Sequence, residues 1–182
     1  MIPLQDLELL EMIQQPKSKE KGYRLLIEAY QKRVYGLVRK MVIIHEDADD
    51  ITQNTFIKAF KNIHQFNGNS GLFTWLYRIA TNESLNFLEK KKRRFFLSID
   101  DHHETMTQYL GRSNHITGDE IEKKLLHALL KLPEKQRLVF NLKYFEDLSY
   151  DEMSKITDTS IGALKASYHH AVKKLEKELT VE

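Results

Sequence analysis

Apolar positions recur at three- and four-residue spacing along most of the chain, and this rhythm predicts helices rather than strands. The first amphipathic stretch covers residues 4–14, with Leu7, Leu10 and Ile13 facing inward, and it breaks near Pro16. A longer helix is predicted over 22–44, with Leu26, Ala29, Tyr30, Val34, Leu37, Val38 and Met41 in register. Residues 47–88 then read as two helices joined by a short Asn/Gly/Ser loop. Ala48, Ile51, Thr55, Phe56, Ala59, Phe60 and Ile63 line one face of the first. Phe73, Leu76, Ile79 and Ala80 do the same on the second, which continues through Leu85 and Leu88. Asp50, Gln53 and Ile57 share a face that the apolar stripe leaves over. A carboxylate, an amide and an aliphatic chain side by side suit a docking surface better than bare solvent.

The periodicity stops between Phe95 and about Gly118, where Asp100, Asp101, His102, His103 and Glu104 sit among Ser, Thr, Asn and Gly. This reads as a tether, with at most a transient helical turn over 106–110. The rhythm resumes with a helix over 120–131, then Leu132-Pro133, with Pro133 suiting the first turn of a helix running to about Phe145. Ser149 and Glu152 have capping-box spacing, and Leu148 and Met153 occupy the positions of a hydrophobic staple. They predict a short helix from Tyr150 to about Thr157, a turn at Asp158-Thr159, and a final helix capped by Ser160 and reaching Leu179. Ile161, Leu164, Tyr168, Ala171, Val172, Leu175 and Leu179 form its inward stripe. Short helix, tight turn and longer helix make a helix-turn-helix. The expected fold is all-α: two small helical domains, 1–94 and 119–182, joined by a flexible linker over 95–118.

Composition agrees. The 182 residues are 41% hydrophobic and 30% charged, with only 7 Gly and 3 Pro, which favours helical domains with real cores. The lack of Cys excludes a disulfide framework or a thiolate metal site. No apolar run approaches the roughly 18 residues of a membrane span, and the acidic, amphipathic start is unlike a signal peptide, so a cytoplasmic location is expected. Net charge is only +2. Its distribution is uneven: residues 1–94 hold 16 Lys/Arg against 11 Asp/Glu, 95–119 hold 1 against 4, and 120–182 hold 11 of each. A basic front module, an acidic connector and a balanced rear module follow.

The last helix presents Gly162, Ala163, Lys165, Ala166, His169 and His170 outward near its start. Small residues there allow close approach to base edges, an Ala methyl can meet a thymine methyl, and Lys or His can donate to guanine acceptors or phosphates. Lys173 and Lys174 suit backbone contacts further along. Lys90, Lys91, Lys92, Arg93 and Arg94 end the front module with more cations than a helix C-terminus needs, which suits phosphate. Catalytic chemistry is not indicated: there is no Gly-rich phosphate loop, HExxH or nucleophile elbow, and the carboxylate pairs Asp49-Asp50 and Asp100-Asp101 are sequence neighbours that point apart. His102 and His103 are adjacent on flexible chain and do not easily converge on one ion. No cofactor, metal or small-molecule substrate is expected.

Taken together the residues resemble a bacterial RNA polymerase sigma factor of the extracytoplasmic-function (ECF) group, over about residues 4–179. DADDITQNTFIKAFKNI is similar to that family's core-binding segment, FNGNSGLFTWLYRIATN to its promoter-melting segment, and LPEKQRLVFNLKYFEDLSYDEMSKI with SIGALKASYHHAVKKL to its second DNA-reading domain. The resemblance implies a non-enzymatic initiation factor. Asp49, Asp50, Gln53 and Ile57 would dock on the coiled coil of the polymerase's largest subunit, and the rear domain on the flap of the second-largest. Phe66, Asn67, Gly68, Asn69, Ser70, Gly71 and the facing Asn82 would hold a nontemplate base flipped from the minus-10 element. Trp75 would either support that loop or touch DNA. Lys143 matches a phosphate contact, and Lys165, Ala166, His169, His170 and Lys173 would face the minus-35 element. Family habit also implies an anti-sigma factor. The chain departs from the family pattern at Ser154, Asp158 and Thr159, where Ala, Gly and an apolar residue are common, and at Ser167 and His170, where Arg is frequent. Asp can enter the left-handed conformation that such a turn calls on, and Ser is still small, so the fold is not threatened. A helix-turn-helix regulator that binds operator DNA without polymerase is the main rival; a histidine-dependent metal hydrolase lacks its ligand geometry.

Overall fold

The structure, a computed structural model, describes residues 4–95 and 120–180. The predicted linker over 95–118, the turn over 106–110 and the His102-His103 pair fall outside the described residues, apart from Phe95 at the end of a helix. The described residues are helical with short connections: α1 (Leu4–Gln14), α2 (Lys19–Val42), α3 (His45–Asn62), α4 (Leu72–Phe95), α5 (Glu120–Leu130), α6 (Glu134–Phe140), α7 (Tyr150–Thr157) and α8 (Ile161–Thr180). Contacts divide the chain into two compact units, one of 1–84 with 155–157 and one of 85–154 with 158–182. No described helix is long and apolar enough to cross a membrane.

In the first unit, α2 begins at Lys19, three residues before the predicted start, and Gly22 lies inside it. The reason is packing. A Cβ on Gly22 would stand 2.8 Å from Cγ1 and 3.0 Å from the backbone nitrogen of Ile13, so only glycine lets α1 approach this closely. The inward face of α1 differs from expectation as well: Asp6, Leu9 and Ile13 are buried, whereas Leu7 is 41% exposed and Leu10 only half-buried. Replacing Gly22 with Ala raises helix propensity by about 1 kcal/mol. Overpacking costs about 1–3 kcal/mol, and here the obstacle is backbone that cannot swing aside. Gly22→Ala is therefore expected to lower the stability of the full chain, read as a reduced urea midpoint at unchanged slope.

Leu26, Val34, Leu37, Val38 and Met41 of α2 pack as predicted; Ala29 is exposed and Tyr30 half-buried. Two residues connect α2 to α3. The first, Ile43, has φ 67° although β-branched, and it is 1% exposed. With ψ −39° and the Ile44 N–H donating to the Val42 carbonyl at 2.8 Å it makes a γ-turn, which is costly for such a side chain, and its burial offsets the strain. Ala48, Ile51, Thr55, Phe56 and Ala59 of α3 are buried as predicted, with Phe60 and Ile63 half-buried. A 3₁₀ turn, Ile63–Gln65, ends the hairpin's first arm. On α4, Leu72, Leu76, Tyr77 and Ala80 are buried, while Phe73 and Ile79 are only half-buried.

In the second unit, Ala128, Leu129, Leu132, Phe140, Ala171 and Leu175 form a core, with Leu125, Leu126, Tyr168 and Val172 packed against it. Leu164 is buried too, but Ile161 and Leu179, predicted in the same stripe, are 36% and 44% exposed at the two ends of α8. Pro133 stands one residue before α6 rather than in its first turn. The helix predicted as far as Phe145 turns α-helical only to Phe140 and continues as a π-helical stretch, Asn141–Phe145, closed by Glu146 N–H donating to the Asn141 carbonyl at 3.3 Å. The capping box is made: the Ser149 N–H donates to Glu152 Oε2 at 2.9 Å and the Glu152 N–H to Ser149 Oγ at 3.3 Å. Leu148 and Met153 are both buried, as a staple requires. Asp158 ends α7 at φ 54°, ψ 39°, a left-handed conformation that Asp tolerates, and Asp147 before the cap has positive φ too at 49°. The Ala163 N–H donates to Ser160 Oγ at 3.3 Å, so Ser160 caps α8.

Candidate nucleic-acid interface

Asp50, Gln53 and Ile57 are exposed on α3, and Ile57 keeps 47% of its surface. At about 100° per residue the three fall within roughly 60° of one another, on the side away from the buried stripe. Asp49 is different. It is half-buried, with Oδ2 3.4 Å from His45 Nε2, and His45 Nδ1 lies 2.6 Å from the Tyr35 hydroxyl. Burial raises the pKa of the Tyr35 phenol, with Arg39 opposing, so Tyr35 is held as a hydroxyl beside the start of α3. Asp50 thus offers its carboxylate outward while Asp49 is turned toward its own chain.

The loop 66–71 is locally built. Asn67 Oδ1 accepts from the Asn69 N–H at 3.1 Å, and Gly68 has φ 74°, which glycine reaches without strain. The Phe66 ring meets Trp75 edge-on, with centroids 5.6 Å apart. Trp75 is half-buried rather than enclosed. Together with Arg78, Ile79, Asn82 and Glu83 it forms the α4 wall of a concavity of about 340 Å³, and Lys58, Asn62 and Gln65 form the opposite wall. Asn82 is exposed there. Lys58 Nζ and Glu83 Oε1 lie 2.5 Å apart, tying α3 to α4 across it. A half-buried indole, an exposed amide and two cationic side chains in one concavity are chemistry that suits a single unstacked base with its phosphate.

Phe66 contacts the concavity through Trp75, whereas Asn67, Gly68, Asn69, Ser70 and Gly71 do not line it; of the loop and Asn82, only Asn82 does so directly. Lys58, Asn62, Gln65, Arg78 and Glu83 were not singled out from the sequence. Trp75, Arg78, Asn82 and Glu83 do share helical spacing, a signal obscured because Ile79 reads as core. Beyond it, Lys90 and Arg93 are exposed, Lys91 and Lys92 half-buried; Arg93 pairs with Glu89 at 2.5 Å and Lys91 Nζ lies 5.4 Å from the Phe87 ring.

On α8, Lys165, Ala166, His169, His170 and Lys173 are all exposed. The imidazoles of His169 and His170 are 6.0 Å apart at 56°. Lys143 donates to the Leu148 carbonyl at 3.0 Å, and its ammonium is 5.8 Å from the Tyr150 ring. Lys165 stands 5.6 Å from the same ring. Tyr150, named from the sequence only as a helix start, therefore gathers two cations from separate helices beside the start of α8.

Residues 26–94 match the family described as Sigma-70 region 2, and residues 122–175 match Sigma-70, region 4. The ECF RNA polymerase sigma-E factor of Haemophilus influenzae is 31% identical, over 97% of this chain and 96% of its own. The ECF RNA polymerase sigma factor SigW of Bacillus subtilis is 32% identical, over 90% and 91%. Two solved structures share the fold. The sigma factor RpoE in complex with the anti-sigma factor NepR, from Bartonella quintana, aligns with a TM-score of 0.70 at 22% identity, over 89% of this chain and 99% of that one. CnrH in complex with the cytosolic domain of CnrY aligns at 0.71 and 20% identity, over 97% and 98%.

Proposed function

The chain belongs to the ECF sigma factors, non-enzymatic transcription initiation factors with sigma-70 regions 2 and 4 that bind core RNA polymerase, and from that premise we propose how its own surfaces divide the work. The exposed face of Asp50, Gln53 and Ile57, with Asp49 beside it, docks on the coiled coil of the polymerase's largest subunit. The concavity of Trp75 and Asn82, with the loop 66–71 above it, receives one nontemplate base of the minus-10 element. Lys90 to Arg94 run along the DNA backbone. Lys165, Ala166, His169, His170 and Lys173 read the minus-35 element, with Lys143 on phosphate, while the second unit also meets the polymerase flap. An anti-sigma factor is a further partner, as NepR is of the structurally similar RpoE.

The observation that carries this reading is the separation of two surfaces on one hairpin. Lys58 and Asn62 lie roughly a third of a turn around α3 from Asp50 and Gln53, so polymerase can cover one surface without closing the other. Flipping a base costs a few kcal/mol, and stacking on Trp75 with an amide on the base edge can offset it. With the rear module formally neutral, duplex binding by the free chain is expected to be weak. Once polymerase holds the front module, the tether gives the second a high effective concentration. In an electrophoretic mobility assay the free protein should bind promoter duplex poorly and gain at least about 100-fold in affinity as holoenzyme. Equally tight, sequence-specific binding without polymerase supports the operator-binding regulator instead.

A further inference from the structure

A buried carboxylate remains that none of these roles uses. Asp6 of α1 is 2% exposed, in a unit whose other buried polar groups are hydroxyls. Burying a carboxylate is costly unless charge-assisted hydrogen bonds replace its water. Asp6 has two. Oδ1 accepts from the Tyr30 hydroxyl of α2 at 2.5 Å, and Oδ2 accepts from the backbone N–H of Leu72 at 2.9 Å. Burial first, and then the bond and charge of Asp6, hold the Tyr30 phenol well above its ordinary pKa, so it stays a donor.

Leu72 is the first residue of α4, and its amide immediately follows the loop 66–71. A carboxylate there satisfies an otherwise unpaired amide and meets the positive end of the helix dipole. It also comes from 66 residues away, where a helix is ordinarily capped by its own preceding residue. Within the loop, the Asn67 side chain is committed to the Asn69 N–H. The flank of the same turn is braced from α2, with the Arg33 guanidinium 4.0 Å from the Phe73 ring and the Tyr77 hydroxyl donating to the Arg33 carbonyl at 3.2 Å. Trp75 is one helical turn beyond Leu72, and Asn82 lies on the same α4 wall.

We infer that Asp6 is a positioning residue for base capture: by capping α4 from α1 it sets the loop 66–71 against the α4 wall that carries Trp75 and Asn82, so that loop and concavity are in place before DNA arrives. A cap made by the loop itself would shift whenever the loop shifts, whereas one anchored on α1 and α2 holds the turn still. This rests on the base-capture reading above, and the test separates the two.

The holoenzyme, assembled with purified core polymerase, is titrated with the single nontemplate minus-10 strand of a promoter on which it initiates, and with the same strand made abasic at each position in turn. The unsubstituted protein should lose about tenfold in affinity at one position, as expected when one stacked base is removed. For Asp6→Ala that loss should shrink to less than about threefold, while core binding stays within about twofold. Tyr30→Phe keeps the Leu72 bond and should retain most of the loss; Asp6→Asn keeps an acceptor without the charge, should fall between, and carries the test if Asp6→Ala does not fold. A purely structural role predicts that intact and abasic strands weaken together, and that result overturns the inference. So does a full tenfold loss in Asp6→Ala. If the unsubstituted holoenzyme shows no abasic loss anywhere, base capture itself is wrong and the role of Asp6 in it falls too.

Discussion

Holoenzyme carrying Asn82→Ala should assemble normally and fail to open promoter duplex. Asn82 is exposed, so removing its amide leaves packing intact, and surface substitutions of this kind typically change stability by about 0.5 kcal/mol or less. Its value lies in what arrives. A base leaving the stack abandons its pairing partners, and an unsatisfied donor or acceptor in a closed site costs about 1–3 kcal/mol. Opening is a near-balanced step, since flipping already costs a few kcal/mol, so such a loss translates into roughly 10- to 100-fold fewer open complexes. Permanganate reactivity of unpaired thymines measures this directly. Core affinity should be unchanged, because the amide lies in the concavity and not on the exposed face of α3.

Asp50→Ala should produce the opposite pattern. Asp50 is exposed beside Ile57, itself 47% exposed, and truncating a carboxylate that becomes desolvated and paired in an interface leaves its partner charge buried and unpaired. A hot-spot loss of about 2 kcal/mol corresponds to roughly 30-fold weaker core binding. Competition for limiting core against the unsubstituted chain exposes that deficit. Asp49→Ala should cost less, because Asp49 already faces His45.

How much of this was legible in the sequence depended on distance along the chain. Ser149 and Glu152 formed the cap their spacing predicted, and Leu148 and Met153 are buried beside it, since every partner lies within five residues. Asp158 took the left-handed conformation for an equally local reason. Where the partner is remote, the signal faded. In α1, Leu7 and Leu10 compete with Leu9 for the inward face, and the choice was settled by Gly22 and by Asp6 reaching Leu72. The concavity needed two helices in register: the spacing of Trp75, Arg78, Asn82 and Glu83 was present, but Lys58, Asn62 and Gln65 were unassigned until α3 lay beside α4. The π-helical turn at Asn141–Phe145 shifts the register by one residue, too little to disturb an apolar period.

The face of Asp50 and the concavity of Asn82 are neighbours rather than opposites on this hairpin, and the central claim is that they nevertheless act at separate steps. The most direct measurement is transcription by reconstituted holoenzyme from two templates, one duplex and one already unpaired across the minus-10 region. On duplex both Asp50→Ala and Asn82→Ala should be deficient. On the unpaired template, Asn82→Ala should recover to within about threefold of the unsubstituted protein because opening is no longer required. Asp50→Ala should stay deficient until core is raised to saturation. Equal rescue of both variants, or of neither, would contradict the account.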